Sequence, residues 1–187
     1  MIQKYKYALA VPVLFLTFII IGCGQSNLSG TVSGNQVKWH TVTIDFTGPE
    51  AAESDNDPNP FLDYRMQVLF TGPDGIEYDV PGFFAGDGEG GESGDVWRVR
   101  FSPDQAGEWT YQTEFRSGDQ IAINLDSEGT AAAFDGAEGS FVVLDRDTTA
   151  PGFLKWGRLE YVGGHYLKFR DGDYWIKGAT DSPENFL

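Results

Sequence analysis

The sequence predicts an all-β fold, an antiparallel β-sandwich, and three observations carry that prediction. From Val37 onward the apolar residues recur at every second position, which puts them on one face of each extended segment. Turn formers punctuate those segments, with 24 Gly and 9 Pro in 187 residues. No stretch keeps a helical apolar period over three turns.

The elements can be taken in chain order. Val42, Ile44 and Phe46 alternate with Thr41, Thr43 and Asp45. Tyr64, Met66, Val68 and Phe70 alternate with Arg65 and Gln67, and Ile76, Tyr78 and Val80 with Glu77 and Asp79. Trp97, Val99 and Phe101 form a fourth alternating set, Trp109, Tyr111, Thr113 and Phe115 a fifth, and a further strand covers Ser140 to Leu144. Each has one apolar and one wet face, as antiparallel sheets packed face to face require. Gly72-Pro73-Asp74-Gly75 is a hairpin loop and Ser102 to Gly107 a second turn. This spacing of short strands is that of an Ig-like sandwich. Trp109 falls about where such folds often carry a corner tyrosine. The single cysteine, Cys23, excludes an internal disulfide.

The N-terminus reads as an address. Lys4 and Lys6 precede an uncharged apolar run from Tyr7 to Ile21, the layout of a signal peptide, and Pro12 within it disfavours a stable spanning helix. The run ends Ile20-Ile21-Gly22-Cys23, which resembles the lipobox of bacterial lipoproteins. That resemblance implies diacylglycerol on the Cys23 sulfur, cleavage before Cys23, and a cell-envelope location with the chain lipid-anchored to a bacterial membrane. An uncleaved N-terminal anchor is the competing reading. Residues 1–22 are thus assigned as leader, and 23–36, rich in Gly, Ser, Asn and Thr, as a flexible tether.

Charge narrows the partners. With 28 Asp and Glu against 13 Lys and Arg, the formal net charge is −15. Such a surface repels nucleic acid and anionic headgroups, so nucleic-acid binding is set aside. The simplest role for the acid is solubility.

The sandwich is assigned to 37–147. Beyond it, 148–187 changes character: Leu159 and Tyr161 lead to Gly163-Gly164. Then Tyr166 to Phe169 and Tyr174 to Lys177 flank Asp171-Gly172, a two-residue hairpin signal.

Three segments carry a resemblance: KWHTVTIDFTGP (Lys38–Pro49), NPFLDYRMQVLFTGPDG (Asn59–Gly75) and VWRVRFSPDQAGEWTY (Val96–Tyr111). Together they resemble an Ig-like domain-of-unknown-function family, number 5060, found ahead of glycoside-hydrolase-like (β/α)8 barrels in secreted bacterial proteins. Gly157 to Leu187 resembles the opening of such a barrel, with its first strand at Tyr174 to Gly178. The resemblance implies a non-catalytic module preceding a polysaccharide-degrading barrel, whose paired carboxylates would come from later strands. On it, Asp181, Glu184 and Asn185 lie where a barrel lines its sugar site. Capping of a following helix, with Ser182 or Asp181 as N-cap and Pro183 at N1, is compatible with that role. A carbohydrate-binding or adhesion module, or a plain spacer, are the alternative functions.

Other signals weigh less. Gly86-Asp87-Gly88-Glu89-Gly90-Gly91 matches G-x-G-x-x-G but is acidic and opens no helix, so a phosphate cradle is rejected. The acidic loops Glu50 to Asp57 and Asp87 to Asp95 offer calcium oxygens from Asp55, Asp57, Asp87, Glu89 and Glu92, without EF-hand spacing; solvated loop charge is the simpler account. His40 and His165 stand far apart without metal-type partners. Trp97, Trp109 and Tyr111 suit either a sugar-stacking face or, more simply at alternate strand positions, the core. Trp39, Trp156 and Trp175 are freer, and one of them is expected to pack the sandwich against the barrel. No cofactor is implied.

Overall fold

The computed structural model describes residues 29–176. Two antiparallel sheets face each other. The first runs β1 (Thr31–Gly34), β2 (Val42–Ala52), β6 (Ser93–Phe101), β5 (Phe83–Phe84) in spatial order. The second runs β4 (Glu77–Pro81), β3 (Tyr64–Thr71), β7 (Gly107–Ser117), β8 (Thr130–Ala131), with β9 (Glu138–Val143) also paired to β7. This is the predicted sandwich, and the five alternating sets lie on its strands, except that Ile76 falls in the turn before β4 and is exposed; the last strand begins two residues earlier than expected, at Glu138, and ends at Val143.

Alternation builds the core directly. In β7, Trp109, Tyr111, Thr113 and Phe115 are buried while Glu108, Thr110, Gln112 and Glu114 are exposed. The inward rows of both sheets interdigitate as rings: Phe70 stacks on Phe101 at 4.4 Å, Phe115 on Phe134 at 4.3 Å, and Trp97 meets Phe115 edge-on at 4.8 Å. Aromatic side chains each bury some 150–250 Å², so a disulfide-free sandwich of this size is held by ring packing. Trp97, Trp109 and Tyr111 are therefore core residues, not a sugar platform.

The turns obey their chemistry. Gly75, at φ +82°, closes a three-residue loop in which Gly75 N–H donates to Gly72 O and Gly72 N–H to Ile76 O. Trp109 Nε1–H donates to Gln105 O at 3.1 Å, tying the strand start back to the preceding corner as the corner residue of Ig-like folds does.

Two local expectations need correction. The tether assigned to 23–36 includes sheet: Thr31–Gly34 pairs with Val42–Asp45, and Gly30 N–H donates to Tyr111 OH at 3.0 Å. An edge strand needs little apolar signal, and Val32 alone reaches the core here. The second is the Asp171-Gly172 hairpin. β11 (Leu167–Phe169) and β12 (Tyr174–Trp175) do pair, but through a wider loop, Phe169 N–H donating to Asp173 O and Gly172 N–H to Phe169 O. With β10 (Leu159–Tyr161) they form a separate antiparallel meander, preceded by one turn of helix, α1 (Phe153–Trp156). Of the segment expected as a first barrel strand, Tyr174 to Gly178, only Tyr174 and Trp175 are strand, and they pair antiparallel with β11 as the last strand of this meander; Ile176 follows outside the strand and exposed, and 177–178 lie outside the described residues.

Candidate functional site

Cys23, Asp181, Glu184 and Asn185 all lie outside the described residues. What the structure does bring together is a junction between one end of the sandwich and the C-terminal meander.

Its centre is Trp39, on the loop that leads into β2. Backbone hydrogen bonds from Lys38 N–H to Leu144 O and from Trp39 N–H to Pro103 O hold that loop on the sandwich end. Trp39 sits at φ +72°, a left-handed conformation that costs a bulky residue about 1–3 kcal/mol unless its surroundings over-determine it. They do. Its ring is buried, its Nε1–H donates to Asp171 Oδ2 at 2.7 Å, and Lys38 Nζ lies 2.6 Å from the same oxygen. Gly157, at φ +77°, rests on the indole: a Cβ there would sit 2.6 Å from Trp39 Cζ2. Arg146 adds a hydrogen bond to the Asp171 carbonyl at 2.7 Å. Burial alone pushes the Asp171 carboxyl up, but the hydrogen bonds from Lys38 and Trp39 and the charges of Lys38 and Arg146 more than reverse this, and it titrates below the usual carboxylate range.

A second contact flanks the first. Asp104, its side chain 5% exposed, accepts from Tyr78 OH at 2.7 Å and lies 3.3 Å from Arg158 of the meander. Arg158 and Arg170 in turn both bond Glu160 Oε1, at 3.0 and 2.9 Å. Burial, then the bond to Asp104, pushes the Tyr78 hydroxyl up. These groups link β4, the β6–β7 turn and β10. Trp39 packs the sandwich against the meander. Sequence reasoning named it among three, but missed Asp171 as its partner, because Asp-Gly carries a turn signal strong enough to hide a second role.

The chemistry of this junction is mechanical. In each acidic loop one carboxylate is committed to its own backbone: Asp87 Oδ1 accepts from Glu89 and Gly91 N–H, both at 2.8 Å, which holds its carboxyl below the ordinary range, and Asp55 Oδ2 accepts from Ala52 N–H at 2.8 Å. Arg98 pins the glycine-rich loop, gripping Asp45 at 2.6 and 2.8 Å and Gly88 O at 3.1 Å. Among the described residues no three His, Cys, Asp or Glu side chains converge as a metal site would need. His40 is buried with Nδ1 3.3 Å from Lys38 O, and His165 is exposed.

These features define an all-β sandwich with a short meander fastened to one end. Residues 35–116 match the family model described as a domain of unknown function, DUF5060, the family that the motifs between Lys38 and Tyr111 resemble. A solved protein from Bacteroides vulgatus, described as a candidate glycoside hydrolase, is similar at 26% identity and a TM-score of 0.47, over 74% of this chain and 20% of its own length. The chain thus spans about a fifth of that protein. No curated protein matches it.

Proposed function

We propose that this chain is the non-catalytic N-terminal accessory module of a lipid-anchored, secreted glycoside hydrolase acting on polysaccharide. The observation that carries the reading is the DUF5060 match over 35–116, the family whose resemblance implies a position ahead of hydrolase barrels. Cys23 holds the module to the membrane through lipid, since two or more acyl chains give stable anchoring at about 0.8 kcal/mol per buried CH₂. The sandwich carries and orients the domain after it.

Two features of the structure support this role. The sandwich spends its large rings on its own packing, with Trp97, Trp109, Phe70 and Phe115 buried. The meander is fixed to the sandwich by Trp39, Asp171, Asp104 and Arg158, yet leaves Phe153, Tyr161, Tyr166, Tyr174 and Ile176 between 57% and 75% exposed. A run of exposed apolar side chains on one short unit is a surface for further packing. Sequencing the gene past the Leu187 codon tests the reading. An open frame of roughly 250 further codons with strand–helix alternation supports it, that being the size of a (β/α)8 barrel. A stop codon directly after Leu187 overturns it.

A further inference from the structure

The outward face of the second sheet is concave and uncovered. An open depression of about 620 Å³ lies over β3 and β7. Its floor pairs Gln67 with Glu114 and Leu69 with Gln112, and Asp79 of β4 lies beside Leu69. A second depression of about 590 Å³ continues from Leu69 and Gln112 to Ser140 of β9. At its other end the first shares Arg65, Gln67 and Leu125 with an apolar cleft of about 210 Å³, where Phe61 and Phe83 stand 50% and 42% exposed.

The outer face of an antiparallel sheet is ordinarily just solvated. Three features set this one apart. It has a built wall: the Arg65 guanidinium donates to the carbonyls of Ile121, Asn124 and Ser127 at 3.5, 3.4 and 3.1 Å, fixing beside the sheet a loop whose Leu125 lines the depression at 79% exposure. Its charges face one another as long ion pairs. Glu114 Oε1 lies 3.7 Å from Arg65 and 3.6 Å from Arg116, and Arg116 lies 3.6 Å from Asp135. Finally, Gln67 Oε1 and Arg116 Nε are both buried without a hydrogen-bond partner among the described residues, one an acceptor and one a donor, and such an orphan group costs about 1–3 kcal/mol.

Cations that already face carboxylates, in a chain of net charge −15, disfavour an anionic ligand. Planar amides and carboxylates with an aliphatic centre suit hydroxyls and the C–H faces between them, and rings at one end add a stacking surface. We infer that this face is a binding groove for a neutral, extended oligosaccharide, laid from Phe61 and Phe83 across Gln67 and Gln112 towards β9. This goes beyond the accessory role and holds whether or not a catalytic domain is attached.

The test titrates the full chain in detergent with cellohexaose, xylohexaose and mannohexaose in turn, to about 10 mM, a ceiling that still detects millimolar binding. Amide resonances are followed throughout. At least one hexaose shifts the amides of Gln67 and Gln112. Gln112→Ala, at an exposed position, weakens that hexaose by roughly tenfold, a loss of about 1.4 kcal/mol, with core resonances unmoved. Phe83→Ala weakens it as well. The proposal is overturned by no shift on this face with any of the three, by shifts confined elsewhere, or by unchanged affinity in Gln112→Ala. It is also overturned if the same amides broaden with protein concentration alone, which would make the face a contact between copies of the chain.

Discussion

Replacing Asp171 with alanine removes one carboxylate from the junction and leaves in place the backbone carbonyl that Arg146 binds. The carboxylate receives Trp39 Nε1–H at 2.7 Å and faces Lys38 Nζ at 2.6 Å, the two charged side chains being 23% and 18% exposed. A hydrogen bond to a charged group contributes about 1.5–3 kcal/mol, and water reaching the freed partners places each loss at the low end. The docked state then loses roughly 3 kcal/mol, a shift of roughly a hundredfold in the docking equilibrium. Hydrogen exchange read by mass spectrometry on the full chain shows it: peptides within 153–176 exchange roughly a hundredfold faster, while β3 and β7 keep their protection. Unchanged exchange in 153–176 would refute the reasoning, as would loss of protection across the whole sandwich. Acid has the same effect on the unaltered chain. The docked carboxyl titrates lower than the free one, so the stabilisation is complete above the ordinary aspartate value, about 3.9, and is lost as pH falls through the lower docked value. Docking is therefore insensitive to pH from neutral down to about 5, and exchange in the meander accelerates only below the ordinary carboxylate range.

The other predictions are simpler. Trp97→Ala empties the centre of the core and costs about 3–5 kcal/mol, seen as a lower urea midpoint; a midpoint unchanged within error would mean the ring packing is not what holds the sandwich. Gly157→Ala forces a side chain onto the Trp39 indole at a positive φ, so it releases the meander as Asp171→Ala does while the sandwich melts as before; wild-type protection of 153–176 would contradict this. Cys23→Ser abolishes incorporation of labelled palmitate. Retained label in that variant would place the lipid elsewhere.

Most of the sandwich was legible because period-two alternation is a strong signal. A strand with one face in the core, such as Trp109 to Phe115, declares that face residue by residue. Weakly patterned pieces escaped. β1 is a four-residue edge with one useful apolar side chain, and β5 and β8 are two residues each. The stretch between β7 and β9 places Ile121 and Phe134 in the interior from loops, where no periodicity announces them. Phe134 is held there by Thr113 Oγ1–H donating to its carbonyl at 2.7 Å and by Asp135 accepting from Phe115 N–H at 2.8 Å. The junction was half legible. A tryptophan outside the strand pattern flags itself, but its partner lies 132 positions away in a turn, and only the tertiary fold joins them. The groove was invisible for a different reason. Gln67, Gln112 and Glu114 read simply as the wet face of two strands, and only pairing register and the Arg65-bound loop make a concave surface of them.

The central claim is that this module serves a catalytic domain and does no hydrolysis itself. Reducing-end release from a set of neutral polysaccharides, measured side by side for the 187-residue chain and for the product of the reading frame continued past Leu187, tests it most directly. The account predicts no release by the chain and steady release by the longer product. Hydrolysis by the chain alone, or a longer product inert on every polysaccharide, would contradict it.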